Sequence, residues 1–270
     1  MVEGIWSLNQ NTTRPATVAG MFYPSDTAKL EAQVKRYLDE AKTDLLSPKA
    51  MIVPHAGYIY SGQVAARAYA TLLNRQQPIN RVVVIGPSHR VAFEGIAMST
   101  MDSFETPLGA IPVAQRAFAA LADLSGVIAD DLPHSQEHCV EVQLPFLQFV
   151  LGQFELLPLV VGRSSAGQVA AVMELLWGDP ETLFVISSDL SHYHDYQNAS
   201  VRDRNTTHYI EALEGANLNS EDACGYIPMQ GLLQIAQKKH LEEQTLVVIN
   251  SGDTAGSKDR VVGYGAYVFH

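Results

Sequence analysis

Apolar residues follow two different periods along this chain. Over 26–43, Leu30, Val34, Leu38 and Ala41 recur every three or four positions, the spacing of one helix face, and Ser25 just ahead of them can act as an N-cap. Elsewhere the apolar residues are continuous and short. Ala50-Met51-Ile52-Val53 runs into Pro54, and Val82-Val83-Val84-Ile85 runs into Gly86-Pro87, as expected of strands buried on both faces.

Extended over the chain, the pattern predicts strands at 50–53, 81–85, 95–99, 108–113, 154–161, 182–187, 244–250 and 261–268. It predicts helices at 26–43, 62–73 (capped by Ser61), 114–122, 138–151, 165–177, 200–214 and 228–240. Pro145 inside 138–151 should kink or split that helix. The last two strands, joined by a Gly/Ser/Asp/Lys loop, form a candidate antiparallel hairpin. The expectation is one α/β domain over 1–270, with a central mixed, mostly parallel sheet sandwiched by helices and the polar, aperiodic residues 1–20 packed on it.

Composition narrows the class. With 47% hydrophobic and 17% charged residues, the chain can bury a large core without staples. A formal charge of −11 opposes phosphate backbones and anionic lipid, so neither nucleic acid nor membrane is an expected partner. Two cysteines, Cys139 and Cys224, and no basic-then-apolar leader favour the cytoplasm.

The chemistry is concentrated where strands end. Val53 leads into Pro54-His55-Ala56-Gly57-Tyr58, Ile85 into Gly86-Pro87-Ser88-His89, and Ile186 into Ser187-Ser188-Asp189-Leu190-Ser191-His192. In open α/β sheets the carboxyl ends of neighbouring strands meet at one crevice, so His55, His89 and His192 should share a site. Imidazole there can ligate a transition metal or shuttle protons. Asp189 precedes His192 by three residues and can orient an imidazole, supply an oxygen ligand or cap a helix. In His134-Ser135-Gln136-Glu137-His138-Cys139-Val140-Glu141, Glu137 and His138 are expected to line the pocket, whereas Glu141 is solvated or paired and Cys139 an inert buried thiol. Cys224, before Gly225 and a helix, is either a buried thiol or one stabilised by amides or a metal. P-loop, dinucleotide-binding and nucleophile-elbow patterns are all missing from the sequence.

Ordered motifs extend this reading over nearly the whole chain: Ala19-Gly20-Met21-Phe22-Tyr23-Pro24, Pro54–Tyr58, Gly86–His89, Glu137–Pro145, Ser187–His192, Cys224-Gly225, Ser251-Gly252-Asp253 and Val262-Gly263-Tyr264. By these the sequence resembles the Memo family, the B component of the AmmeMemoRadiSam set, whose fold is similar to class III extradiol ring-cleavage dioxygenases. The resemblance implies that His55, His89 and Cys224 ligate a divalent metal, with Asp189 and His192 as catalytic residues, and Tyr58 joins Glu137 and His138 as an expected pocket residue. It also implies a pathway link to a radical SAM protein. Ring-opening dioxygenases carry two histidines and a carboxylate, so a thiolate as third ligand argues against catechol cleavage.

Three functions follow as expectations. The first is a redox enzyme of unknown substrate using non-haem iron(II) or copper. The second is a non-catalytic pocket for a peptide or small ligand. The third is a zinc-dependent hydrolase in which Glu137 or Asp189 serves as general base.

Overall fold

A computed structural model describes residues 12–41, 47–73, 75, 77–178 and 180–270. In chain order the elements are β1 (Thr13–Arg14), α1 (Thr27–Glu40), β2 (Ala50–Val53), α2 (Tyr58–Ala70), β3 (Arg81–Pro87), β4 (Ile96–Met98), β5 (Ser103–Thr106), β6 (Gly109–Pro112) and α3 (Gln115–Leu121). There follow β7 (Val127–Ala129), α4 (Leu132–Ser135), a 3-10 turn (Glu141–Gln143), α5 (Leu144–Leu151), β8 (Glu155–Val161), α6 (Ala166–Leu176) and β9 (Thr182–Ser187). The chain ends with β10 (His192–His194), α7 (Tyr196–Glu211), α8 (Tyr226–Lys239), β11 (Glu243–Asn250) and β12 (Val261–Phe269).

Among the described residues nine strands form one sheet in the order β10-β12-β2-β9-β3-β8-β4-β7, with β11 on the other side of β12. The centre is parallel: β2 pairs β9, β9 pairs β3, and β3 pairs β8. Antiparallel strands flank it, including the expected hairpin of β11 with β12. A small second sheet, β1-β5-β6, ties the N-terminal segment to the body. This is the mixed α/β domain read from the sequence.

Side-chain alternation explains why the central strands are apolar along their interior positions. On β2, Met51 and Val53 join one core with α1, α2 and α5, while Ala50 and Ile52 join a second core with α3, α6 and α8. Val82 and Val84 against Val83 and Ile85 repeat the division on β3. Each of these residues faces a helical layer, so polar side chains fall at the ends of the central strands, as Arg81 on β3 and Thr182 and Ser187 on β9 do.

Several boundaries differ from the sequence expectation. Helix α1 is capped by Asp26, whose Oδ1 accepts from Lys29 N at 2.9 Å, rather than by Ser25. It ends at Glu40, and expected helical positions 42 and 43 lie outside the described residues, as do 1–11 of the N-terminal segment. Helix α2 starts at Tyr58 directly after the turn at Gly57, and Ser61 Oγ donates to Ala56 O at 2.9 Å instead of capping. The 138–151 helix is split: a 3-10 turn precedes α5, which begins at Leu144, so Pro145 falls in its first turn where no intrahelical N–H is required. Within the described part of the N-terminal segment, Arg14 is only 3% exposed. No helix among the described residues is long and apolar enough to cross a membrane.

The register of the central strands sets up the site. Val53 stands opposite Ser187 across β2 and β9, so two residues further on His55 meets Asp189. The two strands then leave in different directions, β2 into α2 on the first core and β9 toward α7, whose Ile210 belongs to the second. Neighbouring exits to opposite faces open a crevice at the strand ends.

Candidate metal centre at the strand ends

His55, His89 and His138 converge in that crevice. Their rings lie 5.1 Å (His55–His89), 5.1 Å (His55–His138) and 4.6 Å (His89–His138) apart between centroids. One ring nitrogen from each lies within 4.8 Å of the others. His55 follows β2, His89 follows β3, and His138 comes from the turn between α4 and the 3-10 segment. They open on a cleft of about 790 Å³ that Phe22, Tyr60, Asp189, His192, Tyr193, Cys224, Arg260 and Tyr264 also line.

Each ring is held from behind. His55 is 1% exposed, and burial together with the adjoining His138 and His89 rings keeps it well below the usual histidine range, so it is neutral. Its Nδ1 contacts Ser187 Oγ at 2.9 Å, leaving Nε2 at the cleft. His89 Nδ1 contacts Glu137 Oε1 at 2.9 Å, and His89 N donates to Glu137 Oε2 at 2.6 Å. Glu137 Oε1 also accepts from His138 N at 2.9 Å and Cys139 N at 3.2 Å. Burial alone would raise this carboxyl, but the bonds from His138 and His89 outweigh it and hold Glu137 far below the usual carboxylate range. His138 Nδ1 stands 3.1 Å from Glu137 Oε1 without hydrogen-bond alignment.

Cys224, just ahead of α8, brings Sγ to 3.3 Å from His55 Nε2. Burial and the neighbouring Asp189 push its thiol up to about 12, so it is protonated unless a cation stands beside it. Asp189 Oδ1 accepts from His55 N at 2.7 Å and Ala56 N at 3.3 Å, and burial raises its carboxyl. His192, the first residue of β10, lines the same cleft.

The sequence expectation placed His55, His89, His138, Asp189, His192 and Cys224 together, and all six line one cleft. Glu137 lies behind the histidines rather than in the cleft, and its saturated, 1% exposed carboxylate leaves no oxygen free to act as a general base. Tyr58 is in the first core: it is 2% exposed, packs on Tyr23 and Phe146, and donates to Val142 O at 2.8 Å, while Tyr60 takes the place at the cleft. Glu141, four residues from Glu137, pairs with Arg14 at 2.5 Å. Cys139 is fully buried, as expected of an inert thiol. Sequence reasoning missed Tyr193, Arg260 and Tyr60; Phe22 and Tyr264 stood inside recognised motifs with no signal that they face the cleft.

The donor set fits a divalent transition metal. A sulfur and a nitrogen ligand on one tetrahedral zinc-sized ion stand roughly 3.6 Å apart, a few tenths of an ångström beyond the 3.3 Å between Cys224 Sγ and His55 Nε2. A carboxylate behind a histidine, as Glu137 lies behind His89, is the usual support of a metal-bound imidazole.

Fold and site together define a mixed α/β protein that gathers imidazoles and a thiol at the carboxyl ends of parallel strands. Residues 14–268 match the family described as Memo-like protein. The chain belongs to that family. It is 33% identical over 279 residues to a MEMO1 family protein of Metallosphaera sedula, covering 95% of this chain and 98% of the relative. A MEMO1 family protein of Thermotoga sp. (strain RQ2) is 34% identical over 276 residues, covering 93% and 97%. Among solved structures, an uncharacterized protein of Escherichia coli K12 superposes with a TM-score of 0.52 at 12% identity, covering 82% of this chain and 100% of that one, a likeness of fold.

Proposed function

We propose that this Memo-like protein is a metal-dependent redox enzyme acting on a small organic molecule in the cleft. The ion, iron(II) or copper, would be held by His55, His89 and Cys224, with His138 as a further imidazole donor. The observation that carries the reading is the Cys224 thiol set against the bare nitrogen of His55 inside a cluster of three histidines. Thiolate with imidazole suits softer, redox-active ions, whereas a carboxylate set would suit harder ones. When bound, such an ion supplies a one-electron couple next to the substrate.

The chain's own residues do the rest. Glu137 holds His89, and Asp189 fixes the His55 backbone through its Oδ1. His192, on the cleft wall, gives or takes a proton at the substrate. Phe22, Tyr60 and Tyr264 supply apolar surface that limits water at the reacting end.

The three-imidazole cluster also favours a second reading, zinc-assisted hydrolysis, in which Asp189 or His192 would be the base because Glu137 is fully bonded.

The test is elemental analysis of untagged protein purified without oxygen, for the native chain and for His55→Ala, His89→Ala, His138→Ala and Cys224→Ser. Near-stoichiometric iron or copper lost on substitution of His55, His89 or Cys224, with metal-dependent oxygen consumption, is the expected result. Zinc lost in the same way moves the assignment to hydrolysis. Folded native protein that takes up no metal refutes both and leaves a ligand-binding pocket.

A further inference from the structure

Behind His55 lies a buried chain of polar groups that the proposed chemistry does not use. Tyr69 Oη donates to Gln143 Oε1 at 2.8 Å. The Gln143 amide nitrogen donates to Pro54 O at 3.0 Å and to Ser187 Oγ at 2.8 Å. Ser187 Oγ donates to Cys139 O at 2.6 Å. All three side chains are completely buried.

Counting protons settles the arrangement. Pro54 O and Cys139 O are carbonyls and only accept, so the amide orientation of Gln143 is fixed and both its protons are committed. A serine hydroxyl has one proton. Ser187 gives it to Cys139 O, since two oxygens 2.6 Å apart without a proton between them would repel. Toward His55, Ser187 can therefore only accept. The proton of the neutral ring must sit on Nδ1, and the Nε2 lone pair must face the cleft and Cys224.

We infer that Ser187, held by Gln143 and Tyr69, is a positioning residue that locks His55 in the tautomer a metal requires. The inference rests on the metal-site reading for its purpose and on the hydrogen bonds alone for the tautomer. The lock also spans the fold. It links α2, the 3-10 turn and the end of β9, so the ring orientation is set by three elements from separate parts of the chain. A neutral histidine free to carry its proton on Nε2 would have to move it before taking up an ion.

The experiment has two readouts on the metal-free and metal-titrated full chain. Long-range proton–nitrogen NMR of the imidazoles in the native protein is expected to show His55 protonated on Nδ1. Zinc(II), added alone against a chromophoric chelator, reads affinity. Ser187→Ala is expected to lower that affinity by roughly 10–100-fold and to populate the Nε2-protonated form. Gln143→Met, which leaves the serine in place, should lose less. Should Ser187→Ala not fold, Ser187→Cys, whose thiol is a much weaker acceptor, carries the same two readouts, and an unchanged tautomer and affinity in it would overturn the inference. Native His55 protonated on Nε2 overturns it outright, as does a folded Ser187→Ala with both readouts unchanged. A native protein with the expected tautomer that binds no zinc supports the lock and refutes the metal reading.

Discussion

Replacing Arg14 or Glu141 tests how the N-terminal segment is fastened to the site. Glu141 is fully buried and accepts from Arg14 Nη1 at 2.5 Å, Thr17 N at 2.9 Å, Thr17 Oγ1 at 3.0 Å, Val18 N at 2.9 Å and Tyr23 Oη at 2.6 Å. Arg14, 3% exposed, also donates to His134 O at 2.8 Å and Glu137 O at 2.7 Å. Removing either partner strands the other charge in the interior, at a cost of roughly 3–5 kcal/mol. Arg14→Met and Glu141→Gln should each lose about that much. The double variant has no stranded charge, so its loss should fall well short of the sum, by about 2 kcal/mol or more. Denaturant unfolding of the four proteins at pH 7, read as midpoint shifts at constant slope, measures each term. Single losses below about 1 kcal/mol, or strict additivity, would refute the reasoning that these charges are buried and mutually dependent.

Other perturbations follow from the same geometry. Glu137→Gln keeps the shape but weakens the acceptor behind His89, so metal affinity by chelator competition should fall roughly 10–100-fold with little change in fold; unchanged affinity contradicts the supporting role. Tyr58→Phe strands the Val142 carbonyl and should cost roughly 1–3 kcal/mol in unfolding experiments while leaving metal uptake intact, whereas lost uptake would return Tyr58 to the cleft. At Gly86 an added Cβ would stand 2.5 Å from Cys139 Sγ, so Gly86→Ala should destabilise by about 1–3 kcal/mol, and a neutral outcome would mean the strand end can shift. Burial raises Asp203 from 3.8 to about 6 in the folded protein. The folded state therefore holds that proton more tightly than the unfolded chain, and stability falls as pH rises from about 4 to about 6, by up to ~3 kcal/mol. Asp203→Asn should be more stable than the native chain at pH 8 and gain nothing at pH 4; an equal difference at both pH values would show that the carboxyl is not the cause.

The readable parts of the sequence were those in which one residue type is demanded by two neighbours at once. Central strands were legible because both faces are covered, as Met51 and Ile52 show on opposite cores. Strands β5, β7 and β10 were not, since two to four residues of pairing leave no period, and β7 and β10 pair with strands distant in sequence. The histidines at strand ends were legible because a parallel sheet brings those ends together. The fates of Glu137 and Glu141 were not. Four residues apart, they would share a helix face if the segment were helical, yet regular α-helix resumes only at Leu144, and the two carboxylates serve opposite ends of a turn. Tyr58 and Tyr60 show the same limit: two positions apart at the start of α2, one enters the core and the other the cleft.

The two supports behind the site differ for a physical reason. His89 is the more open ring, with 27% of its side chain exposed, and a carboxylate stands behind it; His55 is 1% exposed and has only a hydroxyl. The Glu137 charge can be buried because backbone N–H groups of His89, His138 and Cys139 converge on it. Behind His55 the donors present are the two protons of the Gln143 amide, already divided between Pro54 O and Ser187, so a second carboxylate in place of Ser187 would be buried without enough partners. A carboxylate makes its histidine a stronger donor, whereas a hydroxyl fixes the proton without adding charge. His89 is thereby the stronger-binding ligand of the pair and His55 the geometrically stricter one, so removing Glu137 should weaken binding without changing the His55 tautomer, whereas removing Ser187 should weaken binding by way of the tautomer.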